Sequence, residues 1–209
     1  MSTAVHAGES GADFTRLRHV LRSAALLGAV QTVVVVAIAY ASRALGGPAE
    51  AAVLGVLVTA AILVTAFLPG LRTRARTIEG IAGAAAIGLG ATVFFLFADV
   101  ALLQPIGLWT NRWLAIGGGS NWWYHPVFWM VGTFVPWMGA WILANLAARG
   151  RGSLGIAAVL AGAGTLAAGV VAVLVHFPGA GWNVPTFGVA ALAGLPLAVL
   201  ASSLGGRAA

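Results

Sequence analysis

The chain has 209 residues, of which 60% are hydrophobic and only 8% are charged. Soluble domains usually carry about 25% charged residues, so the composition excludes an ordinary soluble fold and indicates that lipid covers much of the surface. There is no cysteine, and all eleven basic residues are arginine. This excludes disulfides, thiolate metal sites, iron–sulfur clusters, c-type haem and a lysine-bound retinal. The net charge of +6 does not indicate nucleic acid as a partner, because the arginines fall in short clusters between apolar runs.

Residues 1–22 predict a cytoplasmic polar and amphipathic N-terminal tail, which precedes a single transmembrane domain over residues 23–205. Within the tail, Phe14, Leu17 and Leu21 fall at i, i+3 and i+7. That spacing suits a short helix lying on the anionic leaflet of the membrane. A simple basic flank to the first span is the open alternative.

Six apolar runs are long enough to cross a hydrocarbon core of ~30 Å. They are Ala24–Ser42, Ala51–Leu68, Ile81–Leu103, Tyr124–Leu146, Leu154–Val175 and Val184–Leu204. The predicted fold is therefore all-α, a polytopic membrane helix bundle of about six transmembrane helices. The first run also resembles a signal peptide, but its length favours an uncleaved anchor. Glycine is abundant in the third and fifth runs, which predicts that these two helices lie inside the bundle.

The arginines predict the orientation of the chain. If both termini are cytoplasmic, nine arginines face the cytoplasm and two, Arg43 and Arg112, face outward. Cytoplasmic loops carry the excess of basic residues in membrane proteins. We therefore expect a multi-pass protein of the cell membrane, of the bacterial cytoplasmic type, with both termini inside.

Asp99 is the only acid inside a predicted span. It lies about 10 Å beyond the membrane midplane, toward the outside, at ~1.5 Å of rise per residue. A carboxylate at that depth costs about 1–3 kcal/mol unless it is paired, hydrated or protonated, and intramembrane acids are often functional. Plausible partners of this carboxylate are Arg43, Arg112, His125 and His176. The open alternative is that Asp99 reaches the outer headgroups or closes a structural ion pair.

Two histidines are expected near the same depth as Asp99. His125 lies at the outer mouth of the fourth span, and His176 lies at the outer end of the fifth. Two neutral imidazoles on separate helices are able to hold haem b, and with Asp99 they form a ligand set for copper or another metal. The alternative is that each imidazole simply lies in the membrane interface.

Aromatic and polar residues surround this predicted outer site. We expect them to line a pocket beneath the long loop Pro105–Trp123, where a glycine run is suited to a hinged lid. The pocket candidates are Tyr40, Arg112, Trp122, Trp123, Tyr124 and Trp182.

Two functions are consistent with these residues. The first is a small membrane subunit of a redox or respiratory-type complex that binds haem or metal at the histidines. The alternative is a proton-coupled or small-solute transporter or channel that uses Asp99. Expected partners are the lipid bilayer and other membrane subunits or further copies of the chain. An enzyme acting on lipid ranks last, since no paired carboxylates, Ser/His dyad or phosphate-binding motif is present.

Overall fold

The computed structural model describes residues 14–108 and 124–204, without the side chains of residues 124–127. This part of the chain is 83% helical and contains no strand. Its six helices are α1 Leu17–Ala44, α2 Gly47–Thr73, α3 Ile78–Ala98, α4 Tyr124–Ala147, α5 Leu154–Leu174 and α6 Val184–Ser203, and a π-helical turn, Asp99–Leu103, extends α3. All six, with the turn counted as part of α3, are long and apolar enough to cross a membrane. The prediction of an all-α bundle with six spans is confirmed.

Two helix boundaries differ by five residues or more from those that the sequence predicts. Leu17 and Leu21 belong to the first turns of α1, so the described tail residues form no separate short helix. Helix α2 does not end before Pro69 but continues to Thr73. Membrane helices tolerate an internal proline because neighbouring groups satisfy the carbonyl four residues earlier, which loses its N–H partner.

The first four helices form a ring in the order α1, α3, α4 and α2, so that each packs against its two neighbours. Small residues allow the helices to approach closely. A Cβ added at Gly88 of α3 would overlap the Gly132 carbonyl of α4, and one added at Gly139 of α4 would overlap the Ala66 backbone of α2. The ring is therefore held together by backbone-to-backbone contact at these positions.

Helices α5 and α6 form a hairpin outside this ring. They pack extensively against each other, and α6 also packs against α4 and α2. The amide of Asn145 on α4 fixes this docking, donating to the Val199 carbonyl at 3.3 Å and to the Ser202 hydroxyl at 3.0 Å. The prediction that α5 lies inside the bundle is wrong, because only 22% of its membrane-spanning window is buried, against 50% for α3. Two of its glycines, Gly164 and Gly169, pack against α6.

Large apolar side chains cover the outside of the bundle. Residues on five different helices, more than two-thirds exposed, illustrate this: Val33, Val56, Phe97, Val159 and Val189. A soluble protein does not present so continuous an apolar surface. The exposed faces are those that a surrounding bilayer would cover.

The bundle has two chemically different ends. At one, here called the Asp99 end, α1, α3 and α5 finish and α2, α4 and α6 begin. At the other, the arginine end, Phe14 packs under the Arg74 guanidinium at 4.6 Å and donates its backbone N–H to the Thr73 carbonyl. These contacts tie the start of the described chain to the α2–α3 connection.

Candidate functional site

Asp99 is completely buried in the helix bundle. It opens the π-helical turn, in which the Gln104 N–H donates to the Asp99 carbonyl at 2.9 Å. The Gln104 side-chain amide also donates to the Asp99 carboxyl oxygen, at 2.8 Å. Buried polar groups require such partners, and π-helical turns occur frequently at functional sites. Asp99 therefore does not reach out to the headgroups but lies inside the protein.

The surroundings of Asp99 on α3 are apolar. Phe95 and Leu96 precede it by one turn and Leu103 follows it by one turn, and all three are buried in a cluster with Ala39 of α1. A carboxyl group in this cluster is shielded from both lipid and bulk water. The fully buried carboxyl group thus lies next to apolar side chains of α3.

Arg43, one of the expected partners of Asp99, forms hydrogen bonds to the backbone at the Asp99 end. Its guanidinium donates to the carbonyls of Gly107, at 2.8 Å, and of Leu108. It thereby fixes the chain that leaves the π-helical turn to the end of α1. Arg112, another expected partner, lies outside the described residues.

A partly open cavity of about 240 Å³ lies between α1, α2, α3 and α4. Most of its wall is apolar, and its polar groups are those of Gln31, Thr65 and Thr92. The Gln31 amide donates to the Thr65 hydroxyl at 3.3 Å, and the Thr92 hydroxyl donates to the Gly88 carbonyl at 3.0 Å. The cavity is at the lower edge of the size of ligand pockets, ~300–1,000 Å³, so it suits only a small solute or a few waters.

Two aromatic rings form the part of the cavity wall nearest to Asp99. Phe95 of α3 and Phe128 of α4 both line it, and their rings are stacked with centroids 5.5 Å apart. Thr92, Phe95 and Asp99 follow one another at i, i+3 and i+7 on α3, so they share one face of that helix. Along this face of α3, Phe95 therefore lies between Thr92, which lines the cavity, and the buried Asp99.

No family model, curated protein or solved structure matches this chain. The function must accordingly be argued from the site itself.

His176 is exposed and follows α5, with a left-handed backbone at φ 55°. Helix α5 shares no extensive packing with α3, the helix that carries Asp99. His125 lies in the first turn of α4, and its side chain is outside the described part of the structure. Within the described residues no group of three metal-binding side chains occurs. The haem or metal site at these histidines therefore stays a prediction.

Of the six predicted pocket residues, the structure describes the side chains of Tyr40 and Trp182. Tyr40 and Trp182 are both exposed; Tyr40 lies 6.0 Å from the Arg43 guanidinium, and Trp182 stacks on Phe187 at 6.0 Å. Tyr124 begins α4, but its side chain is outside the described residues, as are all atoms of Arg112, Trp122 and Trp123. The pocket beneath the loop stays untested.

The sequence-based prediction missed the cavity inside the ring. Gln31 was visible as a rare polar residue in the first span, but Thr65 and Thr92 are unremarkable in apolar helices. Only the order of helices around the ring brings these three side chains to one space.

Proposed function

We propose that the protein is a multi-pass membrane transporter or channel for protons, or for a small solute moved with protons. In this proposal the Asp99 carboxyl group binds and releases the proton. The observation that carries it is the complete burial of this carboxyl group within the bundle, where it is hydrogen-bonded to Gln104. Ionisable groups inside a membrane are expensive, and they typically mark ion paths and proton relays.

The arrangement of polar groups along the ring supports a path. The cavity contains Gln31, Thr65 and Thr92, and Asp99 lies seven residues beyond Thr92, about 10 Å along α3. Hydroxyl and amide groups are able to exchange hydrogen bonds with water or a polar solute as it passes. Polar groups thus occupy both sides of the stacked rings.

The stacked rings of Phe95 and Phe128 act as the barrier in this proposal. Phe95 lies between the cavity-lining Thr92 and Asp99 along α3, and its ring stacks on that of Phe128 on α4. In this proposal the neutral carboxylic acid and the charged carboxylate differ in their need for water, because a buried charge is costly unless it is paired or hydrated. Proton release would therefore favour entry of water past the rings, and this couples the charge of Asp99 to the opening of the path.

The distribution of arginines predicts which end of the bundle faces the cytoplasm. The positive-inside rule assigns the arginine end to the cytoplasm and the Asp99 end to the outside. Asp99 then exchanges protons with the outer side, and the cavity lies between it and the cytoplasm.

Proton flux into liposomes tests the proposal. Purified protein is reconstituted with a trapped pH-sensitive dye, and an imposed pH gradient drives the flux. Because Asn keeps the size of Asp but cannot ionise, we expect Asp99→Asn to lower the flux to that of empty liposomes. Asp99→Glu, which keeps a carboxyl group, should retain part of it.

Glu79 provides the matched control. It is exposed at the arginine end and accepts a hydrogen bond from Thr77 at 2.6 Å. Glu79→Gln makes the same chemical change outside the proposed path, and it should leave the flux unchanged. Equal flux in wild-type protein and Asp99→Asn would remove Asp99 from the mechanism.

A small membrane subunit of a redox or respiratory-type complex is the second candidate. It is favoured by the position of two histidines at the Asp99 end, with His125 in the first turn of α4 and His176 just beyond α5. In this version the histidines hold haem b or copper, and other subunits cover the exposed apolar faces. An absorbance spectrum of the purified protein before and after reduction, with elemental analysis, tests it. A featureless visible spectrum without bound metal would discard the cofactor.

A further inference from the structure

A second space lies on the outside of the ring, bounded by α2, α5 and α6. It is a groove of about 520 Å³, or about 1190 Å³ with its open side included. Val184, Phe187 and Gly188 of α6 lie between the walls formed by α2 and α5. Because α2 and α5 share no extensive packing, the groove opens between them toward the membrane.

The groove has the depth of one leaflet. On α2 its lining extends from Ala51 to Leu63, twelve residues that rise about 18 Å in a helix. One half of a ~30 Å hydrocarbon core is about 15 Å deep. The groove begins at the Asp99 end, where α2 and α6 start, so it spans the leaflet at that end and stops near the middle of the bilayer.

The side chains that line the groove also change in polarity from the Asp99 end toward the middle of the bilayer. Trp182 and Asn183 lie at the mouth, and Leu63, Ala161 and Leu166 lie toward the middle of the bundle. Tryptophan is typical of the membrane interface, where its indole N–H reaches polar headgroups. The groove is thus polar at its mouth, and below the mouth its lining is mainly apolar, with Thr59 and Thr165 as the polar exceptions.

The size of the groove decides between two kinds of occupant. A helix of the same length and 10 Å diameter fills roughly 1,400 Å³, which exceeds the whole groove even with its open side. Hydrocarbon chains fit, since carbon atoms pack at ~4 Å. Gly162 leaves room for them, because a Cβ added there would meet no atom of the protein within 4 Å.

We propose that this groove binds a phospholipid of the leaflet at the Asp99 end, with a hydrocarbon chain lying between α2 and α5 and the headgroup beside Trp182 and Asn183. The site is separate from the cavity inside the ring. It does not depend on the proposed role of Asp99, so the Asp99→Asn variant should bind the same lipid.

Photo-cross-linking tests the proposal. The full chain is reconstituted with phosphatidylglycerol that carries a diazirine near the end of one acyl chain, and the adducts are located by mass spectrometry. We expect adducts concentrated at the deep end of the groove, on Leu63 and Leu166. Adducts spread evenly over lipid-facing residues such as Val33 and Val159 would overturn the proposal.

Glycine variants on α5 supply the matched comparison. Gly162→Leu fills part of the groove with its side chain, whose Cβ meets no protein atom within 4 Å, so the groove adducts should be lost. Gly155→Leu makes the same change on an exposed part of α5 outside the groove, where the nearest atom is the Ser153 hydroxyl at 3.5 Å, and should keep them. Adducts that persist in Gly162→Leu would refute the site.

Two further measurements keep the test decisive. If circular dichroism shows that Gly162→Leu is unfolded, Gly55→Leu replaces it, because a Cβ at Gly55 meets only Val184, at 3.8 Å. Competition with an isoprenoid quinone tests whether the hydrocarbon chain in the groove belongs to a phospholipid or to a quinone. Displacement of the phospholipid probe by quinone, but not by unlabelled phosphatidylglycerol, would overturn the assignment to phospholipid.

Discussion

Two glycines on α5, two residues apart, should respond in opposite ways to the same substitution. A Cβ added at Gly162 meets no protein atom within 4 Å. A Cβ added at Gly164 would lie 3.1 Å from the carbonyl carbon of Gly194 on α6, and nearer still to its oxygen. Since carbon atoms pack best at ~3.5–4.0 Å, Gly164→Ala must push α5 and α6 apart.

The expected magnitudes follow from these contacts. Alanine is favoured over glycine in a helix by up to about 1 kcal/mol, so Gly162→Ala should raise the free energy of unfolding by between 0 and about 1 kcal/mol. Overpacking costs about 1–3 kcal/mol, which outweighs the gain in helix propensity at position 164. The two variants should therefore differ by about 2 kcal/mol or more, with Gly164→Ala the less stable.

Unfolding in mixed micelles, with an increasing fraction of denaturing detergent, measures this difference. Circular dichroism reports the loss of helix, and tryptophan fluorescence reports the loss of packing. Equal midpoints for the two variants would show that α5 and α6 do not meet at Gly164 and Gly194, and would refute the hairpin described above.

Three further predictions address the docking, the tail and the orientation. Asn145→Ala removes two hydrogen bonds to α6. At ~0.6 kcal/mol each in membranes, their loss should lower the free energy of unfolding by about 1 kcal/mol in the same assay. The control Thr133→Ala loses only a bond within α4 and should be nearly neutral. Phe14→Ala removes a cation–π contact at the arginine end and should cost about 0.5–1 kcal/mol; an unchanged midpoint would mean that the tail is not held there. In intact cells an impermeant thiol reagent should label Ala180→Cys at the Asp99 end and spare Ser153→Cys at the arginine end; the reverse pattern would invert the proposed orientation.

The number of helices and their approximate positions follow from the sequence because the length of an apolar run has to match the bilayer. Which helices are neighbours does not follow from it. In a membrane both the lipid-facing and the buried sides of a helix are apolar, so periodicity gives little information on the direction in which each helix faces. Glycines therefore suggested a central α5, although Gly164 and Gly169 serve only its contact with α6.

The hydrogen bond between Gln104 and Asp99 could not be predicted from the sequence for a related reason. In an α-helix, residues at i and i+5 point about 140° apart, so Gln104 would not face Asp99. The π-helical turn closes hydrogen bonds between i and i+5 and thereby brings the two side chains together. The sequence shows an acid inside a span, but not the local change of helix type that satisfies it.

A path through the ring of α1, α2, α3 and α4 is the central claim, and two adjacent residues on α1 test it. Val34 lines the cavity, whereas Val33 is 68% exposed on the lipid-facing side. Because the chain has no cysteine of its own, the variants Val34→Cys and Val33→Cys each carry one thiol. In reconstituted protein a small hydrophilic thiol reagent should modify the first and leave the second unmodified. If Val34→Cys proves as unreactive as Val33→Cys, no aqueous path reaches the cavity and the transport proposal fails.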